Sequence, residues 1–192
     1  TQNGAIDGQG GADRLDFAAY TTPRNFVLDA NGSIDGFSGS VENINGGFTN
    51  MDAVTGSTSA PDDSLTGIDA DATWELDGSD RYISTNPLVF DGIEVLQGMG
   101  GADTFQIIWH RTYHILRGGP GDDRLEFFPN SSITFTTLGP EVGYVHGQNG
   151  SDWIDYSRVS DVVTVNLPAE QSTYIYNTNP ASVGAAIGFE NA

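Results

Sequence analysis

The stretch Gly98-Met99-Gly100-Gly101-Ala102-Asp103-Thr104-Phe105-Gln106-Ile107 carries the reading of the whole chain. It holds a glycine turn, an Asp at the sixth place, and then apolar side chains two residues apart. Glycines supply the positive-φ or tightly approached backbone of such a turn, and an Asp side chain can bind the turn's amides. Apolar residues at period two point one way from a short strand. The same pattern recurs at Gly8 to Phe17, Gly118 to Phe127 and Gly147 to Tyr156, with Asp13, Asp123 and Asp152 at the fixed place. A fifth, weaker copy is Pro61-Asp62-Asp63-Ser64-Leu65-Thr66-Gly67. One copy is a weak signal, but four mark a repeating β architecture.

A second repeated element is an apolar residue followed by Glu: Val41-Glu42-Asn43, Ile93-Glu94-Val95 and Phe189-Glu190-Asn191. A longer match encloses both elements. Leu15-Asp16-Phe17 up to Phe26-Val27-Leu28 aligns without a gap on Ile154-Asp155-Tyr156 up to Val165-Asn166-Leu167, an offset of 139. Residues 1–192 therefore read as a single β-solenoid segment, about one long repeat (8–146) plus the start of the next (147–192). Beginning at Thr1, the chain is expected to be a mature or excised piece.

The glycine–Asp turns at 98, 118 and 147 are 20 and 29 residues apart. A tight roll of paired nonapeptides would space them at about 18. The wider, uneven spacing predicts an all-β parallel β-helix with coils of roughly 20–30 residues. No helix is expected, because few segments exceed ten residues without Gly, Pro, Asn or Asp.

The composition narrows the function. With 26 Asp plus Glu against 7 Arg and no Lys, the formal charge is −19. Nucleic acid and anionic membranes are poor partners for such a surface, since both need clustered cations. The absence of Cys excludes disulfides and thiolate metal sites, and the absence of Lys excludes lysine Schiff-base chemistry. No run approaches the roughly 18 apolar residues of a membrane span. Leu, Ile, Val and Phe together make 45 residues, about 23%, and lie in short β-type runs, so a core is expected despite the charge.

The glycine–Asp turns resemble hemolysin-type, repeats-in-toxin calcium-binding nonapeptides. The longer order is Gly-Gly-Ala-Asp-x-Leu-Asp-Phe, Ala19 to Pro23, Val-Glu-Asn-x-x-Gly-Gly, Asp-Ser-Leu-Thr-Gly, then Ala72-Thr73-Trp74-Glu75-Leu76. It is similar to repeats in large bacterial surface proteins described as filamentous-haemagglutinin-like or calcium-binding adhesins. The present chain differs in keeping its turns isolated where repeats-in-toxin domains set them in direct tandem. The resemblance implies a secreted or cell-surface bacterial setting and bound Ca²⁺.

The residues point the same way. If the turns stack, Asp103, Asp123 and Asp152 form a column, and carboxylates about 5 Å apart repel by roughly 1 kcal/mol in water. A hard dication relieves this, and calcium accepts six to eight oxygens. Asp13, Asp103, Asp122, Asp123 and Asp152 are the candidate Ca²⁺ ligands. The competing reading is an Asp that caps its own turn through amides, with no ion.

Other segments are weaker candidates. Asp29 to Asp35 has the look of a short calcium loop or a plain β-turn. Asp69, Asp71, Asp77 and Asp80 read as a solvated loop. In Trp109 to Arg117, alternation puts His110, Thr112 and His114 on one face and Trp109, Arg111 and Tyr113 on the other. That segment is either a coil with one wet face, a metal site, or a sugar site using Trp109 and Tyr113. His146 stands alone.

The expected function is a structural or adhesive segment of a bacterial surface repeat protein. It would stack on neighbouring repeats or on copies of itself end to end, as a self-assembling filament subunit, with a surface glycan as a further partner. No enzyme activity is expected. The alternatives are a polysaccharide-binding module or a β-helix polysaccharide lyase or epimerase, whose acid–base pair would draw on Arg111 or His114.

Overall fold

The computed structural model describes residues 3–58, 62–113, 115–135, 144–159 and 185–187. Among these residues the chain is all-β, with no helix. The first third supplies β1 (Ile6–Asp7), β2 (Arg14–Asp16), β3 (Asn25–Asn31), β4 (Phe37–Ser40), β5 (Phe48–Met51), β6 (Ala53–Thr55) and β7 (Ser64–Thr66). The middle supplies β8 (Ala72–Leu76), β9 (Arg81–Ile83), β10 (Pro87–Asp91), β11 (Val95–Gln97), β12 (Asp103–Ile107) and β13 (His110–Tyr113). β14 (Ile115–Pro120), β15 (Arg124–Phe127), β16 (Ser132–Phe135), β17 (Tyr144–Asn149), β18 (Trp153–Asp155) and β19 (Ala185–Ile187) follow.

These strands form two large sheets and a small pair. The first sheet runs β1-β5-β4-β3-β7-β11-β14-β17-β19, the second β18-β15-β12-β8-β9-β10-β6-β2, and β13 pairs with β16. Most neighbours are parallel. The exceptions are β3–β4, β4–β5, β8–β9 and β9–β10, which are antiparallel. From β11 onward the chain visits the first sheet, the second sheet and the small pair in turn, then repeats that order through β14, β15 and β16.

Register carries the spacing seen in the sequence. Leu96 lies opposite Leu116, and Leu116 opposite Val145, steps of 20 and 29 residues. These equal the intervals between the glycine turns, because each turn feeds equivalent strands. Nearer the N-terminus the steps lengthen to 31 (Leu65 opposite Leu96) and 39 (Phe26 opposite Leu65). The additional length goes into the antiparallel excursions through β4–β5 and β9–β10, so the expected 20–30 residues fits only the later strands.

Strands such as β8 and β12 bury alternate residues, as period two requires, while β6 and most of β15 are buried on both faces. Leu65, Leu96, Leu116 and Leu125 lie on short strands and are essentially inaccessible. Aromatic rings continue the column in the second sheet: Trp74 stacks on Phe105 with centroids 5.4 Å apart, and Tyr82 meets Trp74 edge-on at 4.6 Å. Such pairs add about 0.5–1.5 kcal/mol beyond burial. Phe127 and Tyr156 stack in the same way one step further along. The second members of the long match, Val165 to Leu167 and Glu190-Asn191, lie outside the described residues.

Candidate functional site: a buried acid column and a polar cleft

Asp103, Asp123 and Asp152 stand immediately before or at the start of β12, β15 and β18, where glycine turns enter the second sheet. Parallel pairing brings them into one column, and all three are buried. The Asp103 amide donates to Asp123 Oδ1 at 2.8 Å, and the Asp123 amide donates to Asp152 Oδ1 at 2.9 Å. The Asp123 and Asp152 carboxylates thus each cap the amide of the preceding turn's Asp, whereas the competing reading has an Asp cap its own turn.

The first glycine of the turns at 98 and 118 makes room for this arrangement. A Cβ on Gly98 would overlap both Asp103 Oδ2 and the Gly118 carbonyl oxygen. A Cβ on Gly118 would overlap Asp123 Oδ2 and crowd the Gly147 carbonyl. A carboxylate oxygen and a carbonyl oxygen therefore share a small space that only glycine leaves open. This oxygen-only cradle was not legible from the motif, which shows the glycine and the Asp but not the facing carbonyl.

The electrostatics follow from the stacking. Burial, then the charge of Asp123, raises the Asp103 carboxyl to about 8, while the nearby Trp74 indole N–H lowers it somewhat. Burial raises Asp123 to about 7 against the Asp103 amide, with Asp152 and Asp122 adding to the rise. Neither Asp103 oxygen has a hydrogen-bond partner of good geometry, so the column's free end carries a buried carboxyl in need of a proton or a cation.

The other two candidate ligands lie apart. Asp122 is exposed beside the column and accepts from the Ser151 amide at 2.9 Å. Asp13 sits at the opposite end of the second sheet, before β2, where its amide donates to Asp52 Oδ2 at 3.0 Å. Among the described residues no three acidic or histidine side chains converge on one point.

A second acid pair occupies another corner. Asp63 accepts from the Arg24 amide at 2.5 Å and from the Ser57 amide at 2.9 Å, and its own amide donates to Glu94 Oε2 at 3.0 Å. Ser64 lies opposite Val95 in the first sheet, so Asp63 is the counterpart of Glu94. The weak fifth glycine–Asp copy therefore belongs with the apolar–Glu element and not with the Asp column. Burial raises Glu94 to about 7, with Asp63 and Asp62 contributing. Glu42, by contrast, is lowered: burial pushes it up, but the Asn25 amide and side chain outweigh that.

The aromatic–basic segment builds a third feature. Asp80 is buried and accepts from the Arg111 guanidinium and, at 2.5 Å, from the Tyr113 hydroxyl. Asp80 is therefore no part of a solvated loop, whereas Asp69 and Asp71 are exposed as expected. Tyr113 is buried while Trp109 is 55% exposed, so the two cannot form one sugar-stacking platform. His110 Nδ1 meets Ser132 Oγ at 2.7 Å across β13 and β16. His114 lies outside the described residues. Asp29 to Asp35 forms the β3–β4 hairpin, its Gly36 at positive φ, which is the plain turn reading.

No family model matches the chain, and no curated protein or solved structure shows significant similarity to it.

Proposed function

We propose that the two mainly parallel sheets are faces of a parallel β-solenoid, the rod of a secreted or cell-surface bacterial repeat protein with a structural and adhesive role. The cyclic visiting of the sheets by β11 to β18 supports the solenoid. The sheets end in β1, β19, β2 and β18, each with one strand partner among the described residues. Such edges accept further strands, so end-to-end stacking on neighbouring repeats or copies gives a filament.

The observation that carries the reading is the buried column Asp103–Asp123–Asp152 with its facing carbonyls. Hard oxygen donors of this type suit Ca²⁺. Asp103 and Asp123, with the Gly118 and Gly147 carbonyls, would hold the ion, and its charge would relieve the like-charge repulsion. Asp122 stands beside that site, and Asp13 would serve an equivalent one at the far end. Calorimetric titration with calcium and melting with and without chelator test this. Saturable uptake with a raised melting temperature is expected, and no heat with unchanged melting would remove calcium from the reading. Electron microscopy at the same calcium level tests the filament, since isolated short rods count against it.

A further inference from the structure

A pocket of about 280 Å³ opens where the approach to β9, the end of β10, the approach to β11 and strand β13 meet. Its walls include Asp80, Asp91, Glu94, His110 and Arg111. The convergence of polar groups from three separate stretches of chain, around Asp80, Phe90 to Glu94 and His110 to Tyr113, is what a ligand site requires. Part of this set is already committed: Asp80 holds Arg111 and Tyr113, and Glu94 Oε2 takes the Asp63 amide. These bonds fix the walls.

What remains is a mixture of donors and acceptors. Arg111 keeps a buried Nε–H without an acceptor. Asp91 is exposed, and Thr112 is a further polar residue of the pocket wall. His110 is fixed through Nδ1, which leaves Nε2 for a ligand. The Trp109 ring, 55% exposed, lies against the pocket-lining His110 with centroids 5.3 Å apart and offers an apolar face next to that residue. Hydroxyl groups, which donate and accept alike, match such a set, and the C–H face of a sugar ring matches an exposed indole. The charge is selective. Three carboxyl groups surround one guanidinium that Asp80 already neutralises, so an anionic ligand would meet uncompensated repulsion.

We propose that this cleft is a saccharide subsite that takes an uncharged sugar unit and rejects uronic acids. The proposal does not depend on calcium in the acid column. It separates the binding role from lyase chemistry, because a polyuronate substrate is the one this cleft disfavours.

The test is calorimetric titration of the whole chain with cellobiose, lactose, mannobiose, diacetylchitobiose and digalacturonate, in chelator so that calcium plays no part. At least one neutral disaccharide is expected to saturate with Kd of roughly 1 mM or tighter. Digalacturonate is expected to give no heat. Trp109→Ala and Asp91→Asn alter exposed side chains, so their melting temperature should hold while affinity falls about tenfold or more. Saturation by none of the neutral sugars, tighter binding of digalacturonate, or unchanged affinity in Trp109→Ala would each overturn the proposal.

Discussion

The amide of Asp103 and the carboxylate of Asp123 meet at 2.8 Å across two parallel strands, twenty residues apart in sequence. The bond needs only the acceptor oxygen Oδ1, whereas the charge on Asp123 is a burden at a buried position. Those two roles are separable by substitution. Asp123→Asn keeps an acceptor for the Asp103 amide and removes the charge. Without divalent cations at pH 8 it is expected to stabilise the fold by on the order of 1–2 kcal/mol. Asp123→Ala leaves the Asp103 amide unpaired and is expected to cost about 1–3 kcal/mol. Urea denaturation in chelator reads both. If calcium binds at the column, adding it reverses the ranking of wild type and Asp123→Asn.

The same column sets a pH dependence whose direction is unusual for carboxylates. Asp103 at about 8, Asp123 at about 7 and Glu94 at about 7 all lie above the usual range near 4. In the window between those limits the folded chain holds protons that the unfolded chain has released. Stability is therefore full below about pH 4 for these groups and falls as pH rises through 7 to 8. Each contributes a slope of up to about 1.4 kcal/mol per pH unit. Asp155 works the other way: burial pushes it up, but its ion pair with Arg124 and the Ser157 amide hold it below the usual value, so its share is lost in acid. Denaturation midpoints at pH 5, 6.5 and 8 in chelator should fall in that order. A rising series would mean that the column is not as buried as described, and a series flattened by calcium would place the ion there.

The glycine–Asp motif made much of this legible, because one residue pattern fixed both the turn and the strand that follows. The register steps of 20 and 29 were readable from turn spacing alone, since each of those turns enters the same sheet. What escaped the sequence depends on contacts between segments distant in the chain. Asp63 looks like another glycine–Asp turn, yet its neighbour across the sheet is Glu94, a fact set by the pairing of β7 with β11. Asp80 sits among polar residues and reads as solvent-facing until Arg111 and Tyr113, some thirty residues later, close over it. The β9 and β10 excursion carries ordinary strand composition, and composition does not say whether a strand returns parallel or antiparallel.

Breaking the Asp80 cluster should be costly. Asp80→Ala would strand the Arg111 guanidinium and the buried Tyr113 hydroxyl together, a loss of about 3 kcal/mol by the usual behaviour of a broken buried pair. Tyr113→Phe removes only one donor and should cost about 1 kcal/mol. The double variant should lose less than the sum, because both single changes remove the same bond. Thermal melts of the four chains complete the cycle, and strict additivity would show that the hydroxyl and Asp80 are not coupled.

Gly118 offers the sharpest steric prediction. Its missing Cβ is the space in which Asp123 Oδ2 lies, with the Gly147 carbonyl across it. Gly118→Ala must displace the carboxylate or the turn of the neighbouring strand, and overpacking of this kind costs typically about 1–3 kcal/mol. Pairing it with Asp123→Ala empties the space the new methyl would fill. The double variant should then be no less stable than Asp123→Ala alone, although Gly118→Ala by itself is damaging. Equal losses from Gly118→Ala in the presence and absence of the Asp123 carboxylate would show that the carbonyl contact, and not the carboxylate, requires glycine there. Melting curves for the four chains in chelator make the distinction.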